Sequence, residues 1–170
     1  KQLAKRNEIV LCALNDNPKV NEQDAFRALQ PYCQSINFIK ISKPQILLGL
    51  VRAFCEGLPL QCGYLYNRKA ARKIDALIAK HKPDMLFGQL LRVAEYIRHK
   101  DLPKAIDYQD IFSYGMKRRA DIASFVTRPI YTMEYHRLAR YEAAIFDDFD
   151  VKAIISEPDR ALFPHEKRDE

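Results

Sequence analysis

The sequence lacks the short motifs that mark several large enzyme classes. It has no P-loop, no G-x-G-x-x-G fingerprint, no G-x-S-x-G elbow and no Cys/His dyad motif. Hydrolase, kinase and dehydrogenase activities therefore have little support. It also has no apolar run long enough to cross a bilayer and no signal-peptide pattern at its start, so we expect a cytoplasmic protein.

Cysteine spacing of the zinc-binding kind is missing as well. Cys12, Cys33, Cys55 and Cys62 form no C-x-x-C pair, and no pair of histidines lies near them to complete a zinc site. We expect reduced, mostly buried thiols that pack as small hydrophobic groups, and we expect no metal site.

The composition is that of one ordinary globular domain with an excess of positive charge. Of its 170 residues, 48% are hydrophobic and 29% are charged. Lys and Arg outnumber Asp and Glu by 28 to 22, and this net charge of +6 favours an anionic partner. The basic residues cluster mostly on predicted helices, where either a solvated face or an anion-binding surface explains them.

Apolar periodicity predicts strands alternating with helices. Predicted strands cover residues 9–14, 35–41, 84–89, 104–108 and 151–155, and predicted helices cover 21–29, 43–56, 67–81, 90–99 and a long stretch of about 114–149 broken near Pro129. On the helix over 43–56, the apolar stripe expected to face the core comprises Ile46, Leu47, Leu50, Val51 and Phe54. This alternation predicts an α/β, Rossmann-like, doubly wound and mainly parallel sheet with helices on both faces.

The two ends of the chain carry separate predictions. The first eight residues have the pattern of the last turns of a helix that stops at Asn7, so we expect the chain to begin inside an element and the first strand of the fold to be missing. Such a gap would expose a sheet edge, through which a homodimer is expected. We assign residues 1–163 to a single Rossmann-like domain, and residues 164–170 to a charged tail or the start of an interdomain linker.

Three stretches, taken in order, carry a family resemblance. They are Gly57-Leu-Pro-Leu-Gln-Cys-Gly-Tyr64, then Pro83 to Arg92, then Ile106 to Arg160 with its Asp-containing loop, Arg/Glu-rich helix and final strand ending in Ser-Glu. Together they resemble the N-terminal, acceptor-side domain of bacterial GT-B glycosyltransferases of the family-four type, which build exopolysaccharide or capsule. In that family a strand and a Gly-rich loop come first, and neither precedes Lys1 here.

The resemblance implies a transferase. Such an enzyme moves a sugar from a nucleotide-sugar donor to a saccharide or lipid-linked acceptor. The donor is expected in a second domain that this chain does not include, so the chain should hold no cofactor and should be incomplete as a catalyst. A different class of function remains open, namely a non-catalytic Rossmann-like binding module for an anionic partner.

Candidate site residues follow from the rule that ligands bind beyond the carboxyl ends of parallel strands. The rule selects seven side chains: Gln89, Arg92, Asp107, Asp110, Ser113, Ser156 and Glu157. Asp110 is the predicted catalytic residue, because its carboxylate can accept a hydroxyl proton or orient an acceptor sugar. Gln89, Arg92, Asp107 and Ser113 are predicted to bind the acceptor, and Arg92 suits an anionic group. Ser156 and Glu157 are predicted to border the interdomain cleft.

Each of these assignments has a structural alternative. Asp110 and Ser113 equally suit the N-cap of the next helix. Ser156 suits a capped turn with Asp159 three residues later. His136 lies on a charged helix, where a solvated histidine is favoured over a catalytic base.

A basic helical face is the predicted contact for a membrane. It comprises Lys117, Arg118, Arg119, Arg128, Arg137 and Arg140, and in the resembling enzymes such a face lies against the anionic inner leaflet. Nucleic acid is not expected, because the tyrosines nearby have the helical spacing of core residues rather than that of a stacking platform.

Overall fold

The computed structural model describes residues 2–169, so Lys1 and Glu170, at the outer ends of the predicted domain and tail, lie outside the described residues. Five strands form within it: β1 (Val10–Asn15), β2 (Ser35–Lys40), β3 (Leu86–Gln89), β4 (Lys104–Gln109) and β5 (Val151–Ile154). β1 pairs with β2, while β3, β4 and β5 pair in that order, and all these pairings are parallel. The predicted α/β, Rossmann-like fold is confirmed, with the described strands hydrogen-bonded as a sheet of two and a sheet of three.

Helices flank these sheets and connect the strands. The α-helices are α1 (Glu22–Leu29), α2 (Lys43–Glu56), α3 (Leu60–Leu65), α4 (Arg68–His81), α5 (Ala94–Ile97), α6 (Phe112–Ile122), α7 (Arg128–Ile145) and α8 (Glu157–Leu162). Short 3₁₀ turns cover Leu3–Lys5, Gln30–Tyr32, Leu91–Val93 and Phe146–Asp148. The break predicted near Pro129 is confirmed, because α6 ends at Ile122 and Pro129 occupies the first turn of α7.

Local capping explains where most of the predicted helices begin and end. α2 begins with a capping box between Ser42 and Gln45, and it ends at Gly57, whose φ of 70° is a left-handed conformation that glycine adopts easily. α4 begins where the Asn67 side chain accepts a hydrogen bond from Ala70 N–H, and it ends at Lys82 before a proline.

The core lies around β4 and α7. Ile106 and Tyr108 of β4 are buried together with Leu138 and Ile145 of α7, and Phe149 closes the same cluster. α7 therefore shares its buried side chains with the sheet, and its inward residues reach several neighbouring elements.

The predicted inner face of α2 is wrong for Leu47, Val51 and Phe54, whereas Ile46 and Leu50 are half-buried. Leu47 is 64% exposed and Phe54 is 59% exposed, while the buried residues of α2 are Gly49 and Ala53. The reason is a close contact between helix backbones: a Cβ on Gly49 would lie 2.2 Å from the backbone oxygen of Gly63 in α3. No helix was predicted over the residues of α3. Small residues allow this approach, so they face inward, while Leu47, Val51 and Phe54 point outward.

Two burial predictions also need correction. The apolar runs over 9–14 and 84–89 are typical of strands buried on both faces, but β1 is only partly buried along its length, and in β3 Leu86 and Gly88 are buried while Phe87 faces outward. One face of β3 is thus less covered than a doubly buried strand requires. The cysteines carry free thiols, and Cys62 is buried, but Cys55 is exposed on the outer side of α2.

The described part of the predicted tail contacts the domain. The His165 ring stacks on Phe146 with ring centroids 4.0 Å apart, and His165 and Lys167 lie within ion-pair distance of Asp147. Across residues 2–169, no helix combines the length and the apolar character that a membrane crossing requires.

Candidate functional site

Four polar side chains meet at the carboxyl ends of β1 and β3. Asp16 follows β1, Arg92 lies in the turn after β3, and Gln61 and Tyr64 occupy one face of α3 at i and i+3. The Tyr64 hydroxyl donates a 2.7 Å hydrogen bond to Asp16 Oδ2, and Arg92 Nη2 donates a 2.9 Å hydrogen bond to Gln61 Oε1. We call these four residues the Arg92 cluster.

Electrostatics links the two halves of the Arg92 cluster. The hydrogen bond to Asp16 raises the pKa of the Tyr64 hydroxyl, and the positive charge of Arg92 acts in the opposite direction on the same group. The phenol therefore stays protonated and keeps donating to the carboxylate at neutral pH. Asp16 keeps further lone pairs that a ligand hydroxyl can use.

Arg92 is held in place but is not neutralised. Its guanidinium lies 5.3 Å from the centre of the Phe112 ring, and its Nε is buried without a hydrogen-bond partner in the described part of the chain. Arg92 also takes part in no ion pair among residues 2–169. Apart from the bond from Nη2 to Gln61, the terminal N–H groups of this positioned guanidinium donate no hydrogen bond within the described chain, so they suit a ligand oxygen.

Unusual backbone conformations flank this cluster. Leu90, directly after β3, has φ 71° and ψ 145°, and Gln109, at the end of the neighbouring β4, has φ 59°. Side chains other than glycine rarely adopt such angles, and these conformations concentrate at functional sites. The Leu90 N–H donates to Asp107 O at 2.8 Å, and the turn buries Leu91 while Arg92 reaches α3.

The residues predicted after β3 and β4 have different surroundings. Gln89 is exposed at the end of β3, and Asp110 is exposed just beyond β4. Asp107 is half-buried, and its Oδ1 accepts a 3.1 Å hydrogen bond from Gln109 N–H, so it supports the turn at the end of its own strand. Ser113 is buried against α7, where its backbone N–H donates to Glu142 Oε1 at 3.1 Å.

Asp110 does not cap α6. The N-cap residue is Ile111, which has no polar side chain, and the acceptor for the start of the helix comes from Glu142 instead. The capping alternative for Asp110 is therefore wrong, and its exposed carboxylate has no recorded hydrogen bond in the described structure. It is available to a ligand at the carboxyl end of β4.

Ser156 and Glu157 lie beyond β5, with β4 between them and the Arg92 cluster. Ser156 Oγ accepts a 3.3 Å hydrogen bond from Asp159 N–H, which confirms the predicted capped turn, and Glu157 pairs with Arg160 in the first turns of α8. An open depression of about 490 Å³ runs along β5 nearby and is lined by Lys152, Arg160 and Tyr108 among others. It is a separate feature from the Arg92 cluster.

Buried carboxylates on α7 were missed by reading the sequence. Glu134 accepts hydrogen bonds from the N–H groups of Leu60 (2.9 Å) and Gln61 (3.0 Å), so it caps α3, whose own N-cap position is Pro59. Glu142 likewise accepts a hydrogen bond from Ser113 N–H in the first turn of α6. Both carboxylates satisfy backbone donors that local side chains cannot reach.

α7 also satisfies the end of a third helix. The Arg137 guanidinium donates to the backbone oxygens of Leu58 (3.3 Å) and Phe54 (3.2 Å) at the C-terminus of α2. Arg137 was predicted to belong to a basic membrane face, and the structure places it against α2 instead. The sequence does contain a sign of these inward-facing charges. Glu134, Arg137 and Glu142 fall on the same side of the helix as the apolar stripe formed by Leu138, Tyr141 and Ile145.

Glu142 carries a perturbed pKa. Burial raises the pKa of this carboxyl to about 7, against the lowering effect of its hydrogen bonds from Ser113. Within residues 2–169, no three His, Cys, Asp or Glu side chains are grouped so that they could hold a metal ion.

Comparison with known proteins gives no relative from which a role could be transferred. No protein-family model, curated protein or solved structure matches the chain. The glycosyltransferase family therefore stays a prediction, and function has to be argued from the site.

Proposed function

We propose that this chain is the acceptor-binding domain of a glycosyltransferase that moves a sugar from a nucleotide-sugar donor to a saccharide or lipid-linked acceptor. The observation that carries the proposal is the Arg92 cluster, in which a cation, a carboxylate, an amide and a phenol meet at the carboxyl ends of β1 and β3. The α/β fold and the sequence resemblance support the same assignment.

The Arg92 cluster matches the chemistry of a saccharide. Sugar hydroxyls donate and accept hydrogen bonds, so they need both kinds of partner at fixed positions. Arg92 supplies the terminal N–H donors that its bond to Gln61 leaves unused, and Asp16 supplies acceptor lone pairs, while Gln61 offers an amide that can donate and accept. An acidic sugar would add a charge-assisted contact to Arg92.

Asp110 is the proposed general base. In the transfer step, the acceptor hydroxyl oxygen forms a bond to the anomeric carbon of the donor as the bond from that carbon to the diphosphate breaks. The hydroxyl proton passes to the Asp110 carboxylate, and the nucleoside diphosphate leaves. We assign donor binding to a separate domain, so this chain alone should bind an acceptor without transferring sugar.

The proposed location is the cytoplasm, at the inner face of the membrane, where nucleotide sugars and lipid-linked acceptors meet. A contact between this domain and the membrane surface would bring it to such acceptors.

Turnover of nucleotide sugars by the full-length protein tests the proposal. Asp110→Ala should lower kcat about a hundredfold or more. Arg92→Ala should raise the acceptor KM about ten- to a hundredfold, because one charge-assisted hydrogen bond is lost. The matched controls are Asp101→Ala, exposed before the amino end of β4, and Arg72→Ala, exposed on α4. Unchanged turnover in both site variants would refute the assignment.

The second candidate, a non-catalytic binding module for an anionic partner, also has an observation in its favour. Lys117, Arg118, Arg119 and Arg128 take part in no ion pair within the described chain. If the full-length protein binds anionic surfaces but transfers no sugar from any nucleotide-sugar donor, this candidate replaces the first.

A further inference from the structure

The connection between α6 and α7 exposes large apolar side chains to solvent. Ile122 is 88% exposed, Phe125 is 93% exposed and Val126 is 77% exposed, and Ile130 in the first turn of α7 is also exposed. We call Ile122 to Ile130 the α6–α7 tip. Scattered single apolar residues need no explanation, but four within nine consecutive residues form a group that a partner is expected to cover.

Positive charge surrounds the same apolar group. Residues 117–130 contain Lys117, Arg118, Arg119 and Arg128 and a single carboxylate, Asp121, so the net charge is +3 (4 − 1). Lys117 and Arg118 lie over the Tyr114 ring at 5.7 and 5.5 Å, and all four cations are exposed. Their charges are therefore free to act on an anionic partner.

The α6–α7 tip projects on the same side of the sheet as the Arg92 cluster. Asp150, which follows α7, accepts a 2.8 Å hydrogen bond from Lys104 N–H at the amino end of β4. Glu142 lies beside Ser113, which follows the carboxyl end of β4. From Glu142 back to Arg128, at about 1.5 Å per residue, α7 extends about 20 Å further in that direction.

We propose that the α6–α7 tip is a membrane anchor that inserts Phe125, Val126 and Ile122 into the interface of an anionic bilayer. A projecting apolar loop flanked by cations matches a bilayer surface, whose acyl boundary accepts the apolar side chains while its anionic headgroups face the cations. An apolar protein groove would leave the four exposed cations without a counter-charge, whereas anionic headgroups supply one. The anchor would hold the carboxyl ends of the strands toward the membrane, where a lipid-linked acceptor is presented.

The absence of tryptophan makes the proposal directly testable. Phe125→Trp places one fluorophore in the α6–α7 tip, and Leu48→Trp places one on α2, where Leu48 belongs to the other exposed apolar face. With vesicles of phosphatidylcholine and phosphatidylglycerol at 3:1, the emission of Phe125→Trp should shift to shorter wavelength, and that of Leu48→Trp should not. An unshifted Phe125→Trp, or a shift in Leu48→Trp alone, would overturn the proposal.

Charge and apolar insertion can be separated by co-sedimentation with the same vesicles. Arg119→Gln with Arg128→Gln should weaken binding about 25-fold, from about fivefold per cation. Phe125→Ser with Val126→Ser should weaken it at least about tenfold, whereas Leu47→Ser with Leu48→Ser should leave it unchanged. Equal binding to pure phosphatidylcholine vesicles, or full binding by both tip variants, would refute the anchor. Because vesicle binding requires no sugar, its failure is distinguishable from failure of the proposed transferase function.

Discussion

Replacing Glu142 by glutamine should make the stability of the protein less dependent on pH. Burial raises the pKa of this carboxyl to about 7 from an ordinary value of 4.5. Between those values the folded state binds more protons than the unfolded state, so the free energy of unfolding falls as pH rises from about 4.5 to about 7 and then levels off. A difference of about 2.5 pH units (7 − 4.5) corresponds to about 3 kcal/mol lost by pH 9.

Glutamine keeps an oxygen that can accept from Ser113 N–H and carries no charge to bury. Urea unfolding of wild type and Glu142→Gln between pH 4 and pH 9 measures the effect. We expect near-equal stabilities at pH 4 and an advantage for the variant that grows to about 3 kcal/mol by pH 8 and is then constant to pH 9. Glu166→Gln, at an exposed site, is the control that should show no such trend. A stability difference independent of pH would refute the reasoning.

Two further substitutions test the packing around α3. Glu134→Ala should lower the free energy of unfolding by about 2–3 kcal/mol, because the first two N–H groups of α3 lose their acceptor. Glu134→Gln keeps one acceptor oxygen, so its stability should fall by less. Gly63→Ala should lower the free energy of unfolding by about 1–3 kcal/mol in the same urea assay, because the new Cβ would lie 2.6 Å from the backbone oxygen of Gly49. Gly115→Ala, which has open space around it, should be neutral or slightly stabilising. Equal effects of the two alanines would contradict the close helix contact.

Local signals were enough to predict most elements. α2 and α4 carry caps within their own sequence, such as the Ser42 box and Asn67, and the strands follow from apolar runs ended by polar turns. α3 could not be predicted in this way. It begins at a proline, and its acceptor is Glu134, which lies 74 positions from Leu60 in the sequence.

Long-range contacts also limited how much of the site could be predicted from the sequence. The carboxyl-end rule selected Arg92, Gln89 and Asp110 because each follows a predicted strand. It did not bring in Tyr64, which joins the cluster through Asp16, 48 positions away. Apolar spacing alone placed Leu47 and Phe54 inside, since it cannot register that Gly49 and Gly63 bring two backbones together.

Acceptor binding by the Arg92 cluster is the central claim, and an NMR titration of the ¹⁵N-labelled chain with a panel of neutral and uronic acid-containing oligosaccharides tests it most directly. The account predicts amide shift changes concentrated at residues 15–16, 60–64, 89–92 and 109–111, and their loss in Arg92→Ala but not in Arg72→Ala. Shift changes confined to the depression along β5, or changes that persist in Arg92→Ala, would contradict it.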